Sequence, residues 1–206
     1  MTYNPGPVPL RAEIFFMLNV PNLLTLFRIL LVPLLVVALL TKFEGKEYVA
    51  LGVFLVAAAT DVLDGYLARR QRKITRLGKL LDPAADKILM SAAFISLVEL
   101  EVAPAWMVVV IVAREFAVSA LRSFAATDDV VIAAGLSGKA KTAVHTVAVS
   151  VCIIHERLQD LGSAAPHWLV PTVLWASVAL SVISGIDYFI RYGRMVFESP
   201  GSREAS

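Results

Sequence analysis

Residues 61–86 read D-V-L-D-G-Y-L-A-R-R-Q-R-K-I-T-R-L-G-K-L-L-D-P-A-A-D, with long apolar runs on either side. Carboxylates stand at Asp61, Asp64, Asp82 and Asp86. If residues 61–68 are helical, Asp61, Asp64, Gly65 and Ala68 fall at i, i+3, i+4 and i+7, on one face. Asp82 and Asp86, at i and i+4, share a face of a second helix. Two aspartate pairs on neighbouring helices can therefore converge on one point. Packed together, the carboxylates repel, and Arg69 and Lys87 are too few to pair them all. Bound divalent cations remove that repulsion, and all-oxygen ligation suits Mg²⁺, Mn²⁺ or Ca²⁺ rather than zinc.

The chain outside this stretch looks like membrane. Its 206 residues make one domain or a short membrane bundle. An apolar share of 58% and a mean hydropathy of +0.73 exceed those of an average soluble domain. The single cysteine, Cys152, sits in an apolar run and offers neither a disulfide framework nor a thiolate cluster. The N-terminus has no basic patch followed by an apolar stretch and cleavage site, so no cleaved signal peptide is expected. No nucleic-acid partner is expected either.

Working outward, the second of six expected spans covers about 48–68 and ends in the first aspartate pair. The third begins near Asp82 and runs to about 98, with Pro83 in its first turn and Asp82 as its cap. The first covers about 22–40, the fourth 103–124, the fifth 139–154 and the sixth 168–192. Each approaches the ~20 residues that a bilayer core requires. Asn22, Thr25 and Arg28 form a polar stripe at the start of the first span, placed to face a lipid headgroup. Before it, Leu10, Ile14, Met17 and Leu18 have the spacing of a helix lying in the membrane surface. The expected organisation is one domain over 1–206: a segment 1–19 with the surface helix, a six-helix core 20–195 and a tail 196–206.

Six spans put both termini on one side. That side carries Arg11, Arg28, Arg69, Arg70, Arg72, Lys73, Arg76, Lys79, Arg122, Lys139, Lys141, Arg191, Arg194 and Arg203. Those are 14 of the 19 basic residues. The opposite loops hold only Lys42, Lys46 and Arg157. By the positive-inside rule both termini, and the aspartates, face the cytoplasm.

Two further polar sets stand at that side. Glu115, Ser119 and Arg122 lie at i, i+4 and i+7 of the fourth span, with Arg114 about 100° from Glu115. The fifth span opens G-K-A-K-T, with Lys139 and Lys141 in its first turn and His145 one turn on. Two arginines and two lysines near a metal site make an anion pocket. The run G-L-S-G-K-A lacks the spacing of a phosphate loop.

The pattern D-x2-D-G-x2-A-R-x8-G-x3-D-x3-D, matched without a gap by Asp61, Asp64, Gly65, Ala68, Arg69, Gly78, Asp82 and Asp86, resembles the signature of the CDP-alcohol phosphotransferases. P-N-L-L-T-L-F-R (21–28), R-E-F-A-V-S-A-L-R (114–122) and G-K-A-K-T (138–142) resemble its phosphatidylglycerophosphate synthase branch. His145 departs from the Gln that many members of that branch carry. The resemblance implies an integral-membrane homodimer of the bacterial inner-membrane type. It implies two Mg²⁺ ions, replaceable by Mn²⁺: one on Asp61, Asp64 and Asp82, the other on Asp61, Asp82 and Asp86. CDP-diacylglycerol is expected on Gly65 and Arg69, with Thr75 and the stripe Asn22, Thr25 and Arg28 beside them. Asp86 is the implied general base. sn-Glycerol 3-phosphate is the implied acceptor, its phosphate held by Arg114, Glu115, Ser119, Arg122, Lys139 and Lys141. Phosphatidylglycerophosphate and CMP are the implied products.

Three rivals share some of these features. The same fold with another acceptor would be a cardiolipin synthase or a phosphatidylinositol phosphate synthase. An ion-coupled transporter predicts acids spread across the membrane depth and inverted repeats. Here the acids cluster at one end and no repeat is visible. A membrane prenyltransferase predicts a second aspartate-rich motif, which the sequence lacks.

Overall fold

The structure is a computed structural model that describes residues 20–71, 76–127, 136–162 and 165–197. Within these, side chains at 20–22, 64–71, 76–83, 124–127, 136–139, 156, 160 and 191–197 lie outside the description. The described residues form six helices: α1 (Val20–Leu40), α2 (Lys46–Gln71), α3 (Arg76–Glu99), α4 (Ala105–Thr127), α5 (Leu136–Asp160) and α6 (Leu169–Phe197). Among them there is no strand. The surface helix expected at 10–18 lies outside the described residues. The chain divides into two compact units, with the boundary inside α3 between Ala93 and Phe94.

In the first unit α1 packs against α2. The buried positions of α1 are Thr25, Arg28, Val32, Leu35 and Leu39, flanked by Leu31 and Ala38. On α2 they are Ala50, Phe54 and Ala57. This alternating three-four spacing is that of a coiled-coil seam. Gly45, with φ +78°, supports the tight turn between the two helices, and its carbonyl accepts from the N–H groups of Tyr48 and Val49. The polar stripe therefore differs from the sequence expectation. Thr25 and Arg28 are wholly buried, because they repeat in the same spacing as the apolar seam residues and follow them into it.

Helix α3 also departs from its expected bounds. It begins at Arg76, six residues before Asp82, so Pro83 lies in the helix interior rather than its first turn. The residues between the second and third expected spans are helical up to Gln71 and again from Arg76. The other five helices overlap their expected spans, extending beyond them at one end or both.

In the second unit α4 and α5 both pack on α6. Trp106–Trp175, Arg114–Ser184 and Arg122–Tyr188 meet in ascending order, so α4 and α6 run parallel. Met107, Ile111, Val118 and Leu121 line α4. Leu174, Ser177, Ser181, Ser184 and Tyr188 line α6. Small residues at these positions let helix backbones approach closely, a packing mode typical of bundles in lipid.

The core is largely apolar but takes in several polar side chains, and the outer surface departs from that of a soluble domain. Arg28, Lys141 and His145 are buried, whereas Leu30 (69%), Ile183 (63%) and Ile190 (70%) are exposed. Large apolar side chains facing outward along whole helices suit hydrocarbon rather than water. Two stretches, Leu23–Leu40 and Leu169–Ile190, are long and apolar enough to cross a membrane. Membrane association follows from these two helices together with the outward apolar faces.

Candidate active site

The first unit carries the acidic part. Backbone helix runs through Asp61, Asp64 and Gly65 on α2 and through Asp82 and Asp86 on α3. The i, i+3 and i, i+4 spacings read from sequence therefore hold on real helices. The side chains of Asn22, Asp64, Gly65, Arg69 and Asp82 lie outside the described residues, as does all of Thr75. Asp61 and Asp86 are partly exposed. From α1, the guanidinium of Arg28 reaches Asp61, with Nη1 2.7 Å from Oδ1. Arg28 is fully buried while the Asp61 side chain keeps 39% of its surface, so Arg28 holds the carboxylate from the inner side. The donor set is wholly carboxylate oxygen, and Asp61 retains accessible surface. Both properties fit a hard divalent cation.

The second unit carries the basic part, and here the structure joins residues that sequence could only place on separate helices. Glu115 of α4 forms an ion pair with Lys141 of α5 and lies 3.2 Å from Nη1 of Arg114. Arg114 also donates to the Ser184 hydroxyl of α6. Arg122 donates to the Tyr188 hydroxyl, and its guanidinium carbon lies 4.9 Å from the centre of that ring. Among the described side chains, Arg114, Arg122 and Lys141 stand with two carboxylates, Glu115 and, beside Tyr188 on α6, Asp187, which leaves a surplus of one positive charge. The surplus positive charge suits a phosphate dianion. Ser119 donates to the Glu115 carbonyl at 2.8 Å, so its proton is engaged in its own helix. The Lys139 side chain lies outside the described residues.

His145 is a packed side chain. It is buried, its Nε2 lies 3.0 Å from the Ser181 hydroxyl, and its ring meets Phe94 edge-on. Nothing in this geometry gives it a catalytic role.

Ser184, Gly185 and Tyr188 were missed in the sequence. Gly185 lies against Arg114: a Cβ there would come within 3.1 Å of Arg114 Cγ. The available signal was S-x3-S-x2-S-G-x2-Y, small and polar residues at helical spacing in an apolar span. It reads as ordinary close packing until a basic residue is found opposite.

An aspartate motif on consecutive helices of a lipid-suited bundle defines a class. The chain belongs to the CDP-alcohol phosphatidyltransferase family, whose model matches residues 18–183. It is 41% identical over 185 residues to the CDP-diacylglycerol–glycerol-3-phosphate 3-phosphatidyltransferase of Bacillus subtilis, covering 84% of this chain and 94% of that one. It is 36% identical over 189 residues to a probable phosphatidylglycerophosphate synthase of Mycobacterium tuberculosis, covering 90% and 86%. The phosphatidyltransferase of Rickettsia felis with the same name as the Bacillus protein is 32% identical over 173 residues, covering 83% and 93%.

Proposed function

We propose that this chain transfers the phosphatidyl group from CDP-diacylglycerol to sn-glycerol 3-phosphate, giving phosphatidylglycerophosphate and CMP. The observation that carries the reading is the register of the motif: two aspartate pairs at helical spacing on two successive helices. The relatives named above support the choice of acceptor. So does the surplus positive charge around Glu115, which suits an acceptor bearing a phosphate.

Asp61, Asp64, Asp82 and Asp86 would hold two Mg²⁺ ions, which when bound neutralise the donor's diphosphate and stabilise the departing CMP. Gly65 and Arg69 receive the cytidine end, with Asn22 and Thr75 as further candidates. Arg114, Arg122, Lys139 and Lys141 hold the acceptor phosphate, and Glu115 fixes Lys141 and Arg114 in place. Asp86 takes the proton from the acceptor's 1-hydroxyl. The hydroxyl oxygen then attacks the phosphorus bonded to diacylglycerol, and CMP leaves. Holding both substrates in line supplies much of the rate in such a transfer. The chain crosses the bacterial inner membrane six times, as a homodimer, with the aspartates at the cytoplasmic face. The clustering of 14 of 19 basic residues on that side supports this topology.

Two variants test the assignment. Asp86→Asn abolishes turnover while CDP-diacylglycerol still binds, measured by equilibrium binding in detergent. Full activity of that variant would refute the base assignment. Lys141→Ala raises KM for glycerol 3-phosphate more than KM for the lipid; the opposite pattern removes Lys141 from the acceptor site.

A further inference from the structure

We infer that Arg28 is a built-in counter-charge of the metal site, one that competes with a divalent ion for Asp61 and so sets how tightly the ion is held. The inference rests on the reading of the aspartates as metal ligands. Arg28 lies 33 positions before Asp61, outside the acidic motif, and belongs to a different helix. Its side chain is wholly buried, yet its Nη1 stands 2.7 Å from Asp61 Oδ1. A buried guanidinium is costly unless an anion answers it. The seam between α1 and α2 is therefore built with this pair inside it, continuing the line of Val32, Leu35 and Leu39.

Counting outward from Arg28–Asp61 along two antiparallel helices puts Val32 level with Ala57, Leu35 with Phe54 and Leu39 with Ala50. All six are buried, so the ion pair is in register with the packing rather than a chance surface contact.

Two effects of Arg28 on ion binding oppose each other. By fixing the Asp61 carboxylate it favours binding, and outer-shell partners of this kind typically contribute about 10–100-fold in affinity. By carrying a positive charge beside the site it disfavours binding. A divalent ion feels that charge twice as strongly as a monovalent group at the same distance, in surroundings that screen less than water. Nη1 stands 2.7 Å from Oδ1 as an ion pair without hydrogen-bond geometry, so the positioning effect is the weaker of the two and Arg28 lowers the affinity for the ion. In exchange it neutralises one aspartate of the cluster before any ion arrives.

The test uses the full chain in detergent and Mg²⁺ alone as probe, read by thermal unfolding in EDTA and across a Mg²⁺ titration. Arg28→Gln is expected to melt well below wild type in EDTA and to recover most of that loss at saturating Mg²⁺. Its half-saturating Mg²⁺ concentration should be about tenfold lower than wild type. Arg28→Lys, which keeps the charge, should stay within about threefold of wild type. An equal loss of stability with and without Mg²⁺, or a half-saturation unchanged or raised in the Gln variant, would overturn the inference. So would a Gln variant that cannot be obtained folded even at saturating Mg²⁺. A wild-type protein indifferent to Mg²⁺ would instead remove the metal-site reading beneath it.

Discussion

Arg122 meets Tyr188 in two ways, through the phenol oxygen and across the ring face. Tyr188→Phe keeps the ring and removes the hydroxyl that accepts from the guanidinium N–H. A hydrogen bond to a charged group contributes about 1.5–3 kcal/mol. Because Arg122 retains the cation–π contact, the loss should lie at the low end, and KM for glycerol 3-phosphate should rise about tenfold with little change in kcat. Steady-state kinetics against both substrates check this; an equal rise in KM for the lipid would place Tyr188 elsewhere. The aspartates were legible in the sequence because a charge inside an apolar stretch demands a reason, and their spacing supplied one. Ser184 and Tyr188 were not, since serine and tyrosine are ordinary in a membrane helix. The role of Arg28 was half legible: its polarity on α1 stood out, but its partner across the seam did not.

At the level of the helices, the apolar runs located all six, and their ends were set by signals that hydropathy does not contain. The start of α3 is the clearest case. Arg76, Gly78 and Lys79 dilute the apolar signal, and Pro83 resembles a first-turn residue, so the sequence reading began the helix six residues late. The far end of α3 shows the reverse, a stop made without glycine. Glu101 adopts φ 60°, its N–H donates to the Val98 carbonyl, and the N–H of Val102 donates to Leu97. That is a Schellman closure, whose left-handed position usually holds glycine. A side chain at that position costs about 1 kcal/mol, and the exposed Glu101 has open surroundings. Glu101→Gly should therefore raise stability by up to about 1 kcal/mol, visible as a higher melting temperature in detergent. A lower melting temperature would mean that the glutamate side chain contributes more than its backbone strain removes.

For the whole molecule, the reading turns on which surface is apolar. Among the described residues, only α1 and α6 carry uninterrupted stretches long enough to cross a bilayer. The others carry charged residues that the proposed chemistry would use, such as Asp61 in α2 and Arg114 with Glu115 in α4. A functional membrane helix thus looks less like a membrane helix in proportion to the polar work it does. The proposed topology can be read directly by cysteine labelling, since Cys152 is buried and is the only native thiol. In a Cys152→Ala background, Phe43→Cys should react with an impermeant maleimide from outside right-side-out vesicles, and Ser206→Cys only after permeabilisation. The same pattern at both sites would discard the six-span arrangement. The most direct measurement of the whole account is acceptor-dependent CMP release. Purified chain in detergent is given CDP-diacylglycerol and labelled glycerol 3-phosphate, phosphatidylglycerol or inositol phosphate, with Mg²⁺ or with EDTA. The account predicts CMP release and labelled lipid with glycerol 3-phosphate and Mg²⁺, and neither in EDTA. Release that persists in EDTA, or that requires one of the other alcohols, would contradict it.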